Sequence, residues 1–307
     1  MGPFVTVLCA ILTLASCSRG QDGAGKGRTA FDGRTALTYV QTQLDFGPRI
    51  PGSPGAQRCG DWIIAQMHAR ADTVVVQSWT HTTADHKTFP LRNILARWRP
   101  AATDRVLYIT HWDTRPVSDE SPNPAERALP VPGANDGASG VALFVALGDV
   151  LKRTPPTVGV DLLFVDGEDY GQFGPPLKDV LLGSTYFAAH PPDSAYRPLF
   201  GILWDMIGDR NLQIYQEGNS MQRAPEVVSR VWQQASDLGY ADYFIPRYKY
   251  TITDDHVPLL DAGYRVIDVI DYDYQEFHHT PRDTFDKVSA HSLQVVGDVA
   301  TALVTGS

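Results

Sequence analysis

The stretch VGVDLLFVDGEDYG, residues 158–171, changes character halfway along. Its first half is a short apolar run rich in Val, Leu and Phe, which fits a strand buried on both faces. Its second half is acidic and broken by glycine, so a buried strand delivers Asp166, Glu168 and Asp169 to one edge of a sheet. In open α/β sheets ligands sit outside that carboxyl edge. Taken alone, an acidic turn that merely solvates a strand end is the simpler reading.

The same arrangement recurs along the chain. The run RVLYIT (105–110) is followed by His111-Trp112-Asp113, the apolar run 199–203 by Asp205, and the run 266–270 by Phe277-His278-His279-Thr280. Between the first two of these lies GANDGASG (133–140), which turns directly into the apolar helical run 141–151. One acidic turn is easily explained away, but repeated delivery of His, Asp and Glu to strand ends is not.

Around these runs the spacing predicts helices over 29–44, 55–71, 138–152, 183–190, 225–238 and 290–304, and another beginning near Asp255. Strands are predicted over 73–79, 91–98, 105–110, 158–165, 199–203, 212–215 and 266–270. The polar, proline-rich passage 115–132 and the breaker-rich passage 171–178 read as functional loops, and 240–253 as irregular. Strands alternating with helices indicate an α/β fold: a three-layer α/β/α sandwich around a mixed, mostly parallel central sheet. It forms a single domain over 29–307.

Composition bounds the function. A chain of 307 residues, 43% hydrophobic and 20% charged, is ordinary globular protein. The net charge of −9 argues against nucleic acid, whose phosphates call for clustered Lys and Arg, and makes a neutral or cationic ligand the easier partner. Residues 1–17 read as a targeting segment, because the apolar stretch 4–15 is too short for a comfortable membrane span. It ends in Leu14-Ala15-Ser16-Cys17. That ending resembles a bacterial lipobox, with Cys17 as the lipidated first residue of a membrane-anchored, periplasm-facing lipoprotein; an ordinary secretory signal is the alternative. Residues 18–28, rich in Gly and charge, read as a flexible tether. Of the 3 cysteines, Cys9 and Cys17 fall in the signal, so Cys59 is left alone as a small core residue, with neither a disulfide nor a cysteine zinc site available.

Zinc is bound by imidazole nitrogen and carboxylate oxygen in roughly tetrahedral geometry, and a catalytic site keeps one position open. Asp136, a carboxylate from the 168–169 pair, and His279 would supply three ligands from three separate loops. Adjacent side chains do not easily reach one ion together, so one of Glu168 and Asp169 can ligate while the other moves a proton. Singly, His111, His256, His278 and His279 each read as surface or capping histidines. Ser139 lacks the nucleophile-elbow pattern and stands where a helix start needs small residues, so it is not read as a nucleophile.

Taken together, FGPRIPGSPG (46–55), LRNILA (91–96), THWDTRP (110–116), GANDGASGVA (133–142), VDGEDYG (165–171), LLGSTYF (181–187), WDMIGD (204–209), ITDDHVPLLDAG (252–263) and HHTPRDTFDKV (278–288) occur in a characteristic order. In that order the chain resembles the bacterial glutaminyl-peptide cyclotransferases, zinc enzymes that share the fold of the zinc-dependent aminopeptidases. The resemblance implies conversion of N-terminal Gln of peptides or proteins to pyroglutamate with release of ammonia, an acyl transfer. It implies one catalytic Zn2+ held by Asp136, Asp169 and His279, with Glu168 as proton shuttle and Asp254 and Asp205 as a hydrogen-bonded acid pair at the substrate. His278, Phe277 and Trp204 are expected to line the pocket, His278 standing where many relatives carry Trp. His111 and Asp205 match the residues that hold a second zinc in the aminopeptidases. A two-zinc aminopeptidase on the same scaffold is therefore the first alternative, and a non-catalytic binding protein of the same fold the second.

Overall fold

The run at the heart of the sequence is strand β4 (Gly159–Val165), and every residue of it is buried. In this computed structural model, which describes residues 1–2 and 29–306, β4 lies inside a six-stranded mixed sheet. Its order is β1 (Thr73–Thr82), β2 (Thr88–Trp98), β4, β3 (Arg105–His111), β5 (Phe200–Asp205) and β8 (Val266–Ile270). The hairpin β1–β2 joins β4 antiparallel, whereas β4, β3, β5 and β8 run parallel. The four parallel strands therefore end on one edge, and their carboxyl ends carry the acidic and histidine residues picked out above.

Successive strand residues pack into different layers, as the two-residue period requires. Ile94, Ala96, Val106, Tyr108, Leu162 and Phe164 join one cluster with α1 (Gly33–Leu44), α2 (Pro54–His68), α3 (Ala138–Arg153), α6 (Pro225–Asp237) and α8 (Ala290–Thr305). Leu95, Leu107, Ile109, Leu163 and Val165 join the other, with α4 (Leu182–Ala189) and α7 (His256–Asp261). This is the three-layer sandwich. The one charge inside β4, Asp161, is held by Arg105 through bonds of 2.7 and 2.9 Å, with Arg97 and the Tyr196 hydroxyl completing its shell. A buried carboxylate without such partners would be costly.

Three local differences have physical reasons. Helix α1 begins at Gly33 because the Asp32 side chain accepts the Arg34 and Thr35 N–H groups, a cap that sets the helix start there. The hairpin strands run past Trp79 because an edge strand needs no apolar run, and β1 alternates between exposed and half-buried residues. Strand β7 (Phe244–Tyr250), within a passage read as irregular, pairs with β6 (Ile214–Glu217) in a small second sheet. Its buried side chain is Phe244 alone and Pro246 interrupts it, so it lacks the apolar run that marks the other strands.

Helix α5 (Gly218–Arg223) follows β6 directly. Cys59 is buried in α2, where burial pushes its thiol up to about 12. The targeting segment, Cys17 and the tether lie outside the described residues, residues 1–2 excepted. Among the described residues no helix is long and apolar enough to cross a membrane.

Candidate active site

The site is assembled by loops at the carboxyl edge of the parallel strands. β3 ends in His111, with Asp113 just beyond; β4 leads to Glu168 and Asp169, and β5 ends in Asp205. The turn before α3 brings Asp136, the turn before α7 brings Asp254 and Asp255, and the loop after β8 brings His278 and His279. All of these side chains are buried or nearly so.

Among the trios of donor atoms that gather there, each within 4.8 Å, two share Asp136. In one, Nε2 of His279 lies 3.1 Å from Oδ1 of Asp169 and 3.6 Å from Oδ2 of Asp136. In the other, Nε2 of His111 lies 3.0 Å from Oδ1 of Asp136 and 3.1 Å from Oδ1 of Asp205. The donors are the nitrogen and carboxylate oxygens that zinc accepts. Asp169 Oδ2 is buried without a hydrogen-bond partner, so the set fits a cation better than it fits a self-contained polar network.

The backbone around these donors is tied by side chains whose roles the sequence did not disclose. The Asp113 carboxylate accepts the N–H groups of both Glu168 and Asp169 at 3.1 Å, which fixes the acidic turn. Bonds from N–H to a carboxylate are worth about 1.5–3 kcal/mol each, so this pair outweighs the flexibility that Gly167 gives the turn. Asp283 does the same for Asn135 and Asp136, at 2.9 and 3.2 Å, and itself accepts the Tyr274 hydroxyl. The fully buried Arg49 donates to the carbonyls of Trp112, Pro132 and Gly133, joining the loops that carry His111 and Asp136. Arg115 donates to Oδ1 of Asp169 at 2.9 Å. Asp113, Arg115, Asp283 and Arg49 all lie inside the motifs quoted above, but only the folded chain shows what each one holds.

Beside the donors opens a cleft of about 480 Å³. Glu168, Asp205, Asp254 and His278 line it together with the metal-type residues, and Phe173, Tyr250, Ile252 and Tyr272 supply its apolar walls. Burial, reinforced by the charges of Asp169, Asp254 and Asp255, pushes the Glu168 carboxyl well above the usual carboxylate range, against the pull of His111. Burial and then the charge of Asp205 do the same to Asp254. Burial works against ionisation of Asp136 too, but its hydrogen bond to His111 and the charge of that ring outweigh it and keep the group below the ordinary range.

Three expectations about the cleft are corrected. Trp204 is fully buried in the core, edge-on to Tyr108 at 5.5 Å, because the side chain before Asp205 on β5 faces the opposite layer. Phe277 packs with Met206, Ile270 and Tyr274 beneath the cleft instead of lining it. Asp205 accepts from His111 and the Met206 N–H, and Asp254 accepts from the Asp255 N–H, so among the described residues the two acids bond to other partners and not to each other. His278 does line the cleft. Ser139 is buried with its hydroxyl donated to the Asn135 carbonyl, and His256 lies apart, 3.2 Å from Glu217.

Known proteins share this fold. The chain is 38% identical to the glutaminyl cyclase of Porphyromonas gingivalis, with a TM-score of 0.85 over 88% of this chain and 96% of that one. It is 32% identical to a Zn-dependent exopeptidase from Parabacteroides distasonis, with a TM-score of 0.86 over 90% and 99%. Among curated relatives, it is 25% identical to aminopeptidase YwaD of Bacillus subtilis over 65% of this chain, but spans only 40% of that protein's length. The model of peptidase family M28 matches residues 93–304, a range that contains both donor trios and the acids of the cleft, and the chain belongs to that family of zinc-dependent enzymes.

Proposed function

We propose that the chain is a glutaminyl-peptide cyclotransferase that converts N-terminal Gln of peptides or proteins to pyroglutamate, using one zinc ion. Asp136, Asp169 and His279 would hold the ion and leave a position open towards the cleft. Bound there, zinc supplies Lewis-acid polarisation of the side-chain amide carbonyl. Glu168 takes a proton from the substrate's α-amine and returns it to the amide nitrogen. The α-nitrogen closes on the side-chain carbonyl carbon, the bond from that carbon to the amide nitrogen opens, and ammonia leaves with the transferred proton. Asp254 holds the departing nitrogen, with Asp205 beside it. The observation that carries this reading is the position of Asp254, a buried acid in the cleft beside Asp205 and Glu168, where an amide nitrogen needs an acceptor.

The trio of His111, Asp136 and Asp205 favours a second reading, a two-zinc aminopeptidase in which Glu168 activates water. One assay separates the two. Purified protein offered a Gln-initiated peptide is expected to release ammonia, and to leave a Leu-initiated peptide intact; removal of the N-terminal residue from either one sinks the cyclase reading. We also propose attachment to the bacterial envelope, facing the periplasm, through a lipid on Cys17, supported by Leu14-Ala15-Ser16-Cys17. Cys17→Ala should then release the protein from membranes, and an unlipidated Cys17 by mass spectrometry would end that claim.

A further inference from the structure

His279 does not stand alone at the cleft. Its ring stacks on that of His278 at 3.6 Å and 24°, and one carboxylate faces both rings: Oε2 of Glu120 lies 3.0 Å from Nδ1 of His278, and Oε1 lies 3.5 Å from Nδ1 of His279. Glu120 comes from the loop between β3 and α3, far from both histidines in sequence. These three residues also meet the distance requirement for a metal site. His279, however, has only two nitrogens, and its Nε2 already faces Asp169 and Asp136. A second ion on Nδ1 would require a bridging, fully deprotonated imidazole, so Nδ1 is read as an N–H that faces the Glu120 carboxylate.

We propose that Glu120 is a positioning residue of the metal centre, clamping the stacked His278–His279 pair so that Nε2 of His279 is bare and aimed at Asp136 and Asp169. An imidazole that ligates through one nitrogen is oriented by what the other donates to, and such outer partners are typically worth 10–100-fold in metal affinity. Two further features support the assignment. The His279 backbone sits at φ 49°, a left-handed conformation that a residue with a side chain adopts only when its surroundings hold it. The loop that presents Glu120 is pinned separately, by Arg115 bridging Asp119 and Asp169 with bonds of 2.6, 2.7 and 2.9 Å. Removing the Glu120 carboxylate therefore leaves its loop in place. The same clamp turns His278 into a wall of the cleft, edge-on to Tyr272 at 5.7 Å.

This inference rests on the zinc assignment of the proposed function, not on the choice between cyclase and aminopeptidase. Its test is the zinc affinity of wild type, Glu120→Ala and Glu120→Gln, measured by competition with a chelator, alongside the thermal midpoint of each protein stripped of metal. Glu120→Ala is expected to bind zinc about 10–100-fold more weakly, and Glu120→Gln, which keeps one acceptor oxygen, to lose less, with the metal-free midpoints unchanged. An affinity within about twofold of wild type in Glu120→Ala overturns the proposal, given the usual worth of such a partner. A metal-free midpoint that falls in step with affinity overturns it too, since Glu120 would then support the fold rather than the ligand. If the wild type takes up no zinc, the proposed function falls with it, whereas tight zinc binding in all three proteins removes this inference alone.

Discussion

Nε2 of His111 lies 3.0 Å from Oδ1 of Asp136, while the other oxygen of that carboxylate faces His279. Asp136 thus stands between two trios, and what occupies the His111 side separates the two readings of the enzyme. If His111 acts as a hydrogen-bonding partner that steadies Asp136 and Asp205, the active enzyme contains about one zinc per chain, in four-coordinate geometry. His111→Ala should then keep that zinc and lose rate. Metal analysis that finds two zincs in the active wild type and one in His111→Ala would transfer the assignment to the aminopeptidase.

Glu168 lines the cleft, its backbone N–H is tied to Asp113, and the proposed function gives its carboxyl the proton-shuttle role. Glu168→Gln keeps size and hydrogen bonding but cannot take a proton. The rate is expected to fall by about 10²–10⁴-fold, the usual worth of positioned acid–base catalysis. Zinc content should be unchanged. Loss of zinc instead would show that Glu168 and Asp169 have exchanged the roles given to them.

How much of this was legible in the sequence depends on what each residue does. Asp169 and His279 could be picked out because they follow apolar runs, and Asp136 because it stands just before one. Glu120 and Arg49 could not, since their partners are loop carbonyls and ring nitrogens that the fold alone brings near. Trp204 lies in the core although its neighbour Asp205 faces the cleft, because the two-residue period of β5 sends adjacent side chains to opposite layers. Strand β7 is hard to read in the sequence because Arg247 and Lys249 are exposed there and its pairing with β6 shifts register.

Gly137, at the start of α3, is a position where space itself is the constraint. A Cβ placed there would lie 2.6 Å from Nε2 of His111 and 2.7 Å from the His111 carbonyl oxygen. The ring and the backbone cannot both yield, since His111 is buried and ends strand β3. Gly137→Ala is expected to lower stability by about 1–3 kcal/mol, as overpacking of a tight core does. It should also disturb the spacing of His111 and Asp136. A denaturation midpoint and activity both equal to wild type would show that the contact relaxes without cost.

Asp254 is the residue on which the cyclase reading turns. Cyclisation requires an amide nitrogen and an uncharged amine to be held close together while ammonia departs. A carboxyl in the cleft serves this, because burial and a neighbouring charge favour its protonated form, which offers a donor O–H and an acceptor carbonyl oxygen at once. Burial and the Asp205 charge raise Asp254 in that direction. A two-zinc hydrolase has a different need, since its second ion would claim Asp205 and leave Asp254 without a partner in the chemistry. Asp254→Asn keeps the shape of the side chain and removes the titrating proton. It should therefore cripple ammonia release from Gln-initiated peptides while zinc content and thermal midpoint stay at wild-type values. If the variant releases ammonia at the wild-type rate, Asp254 plays no part in holding the nitrogen and the cyclase assignment loses its main support.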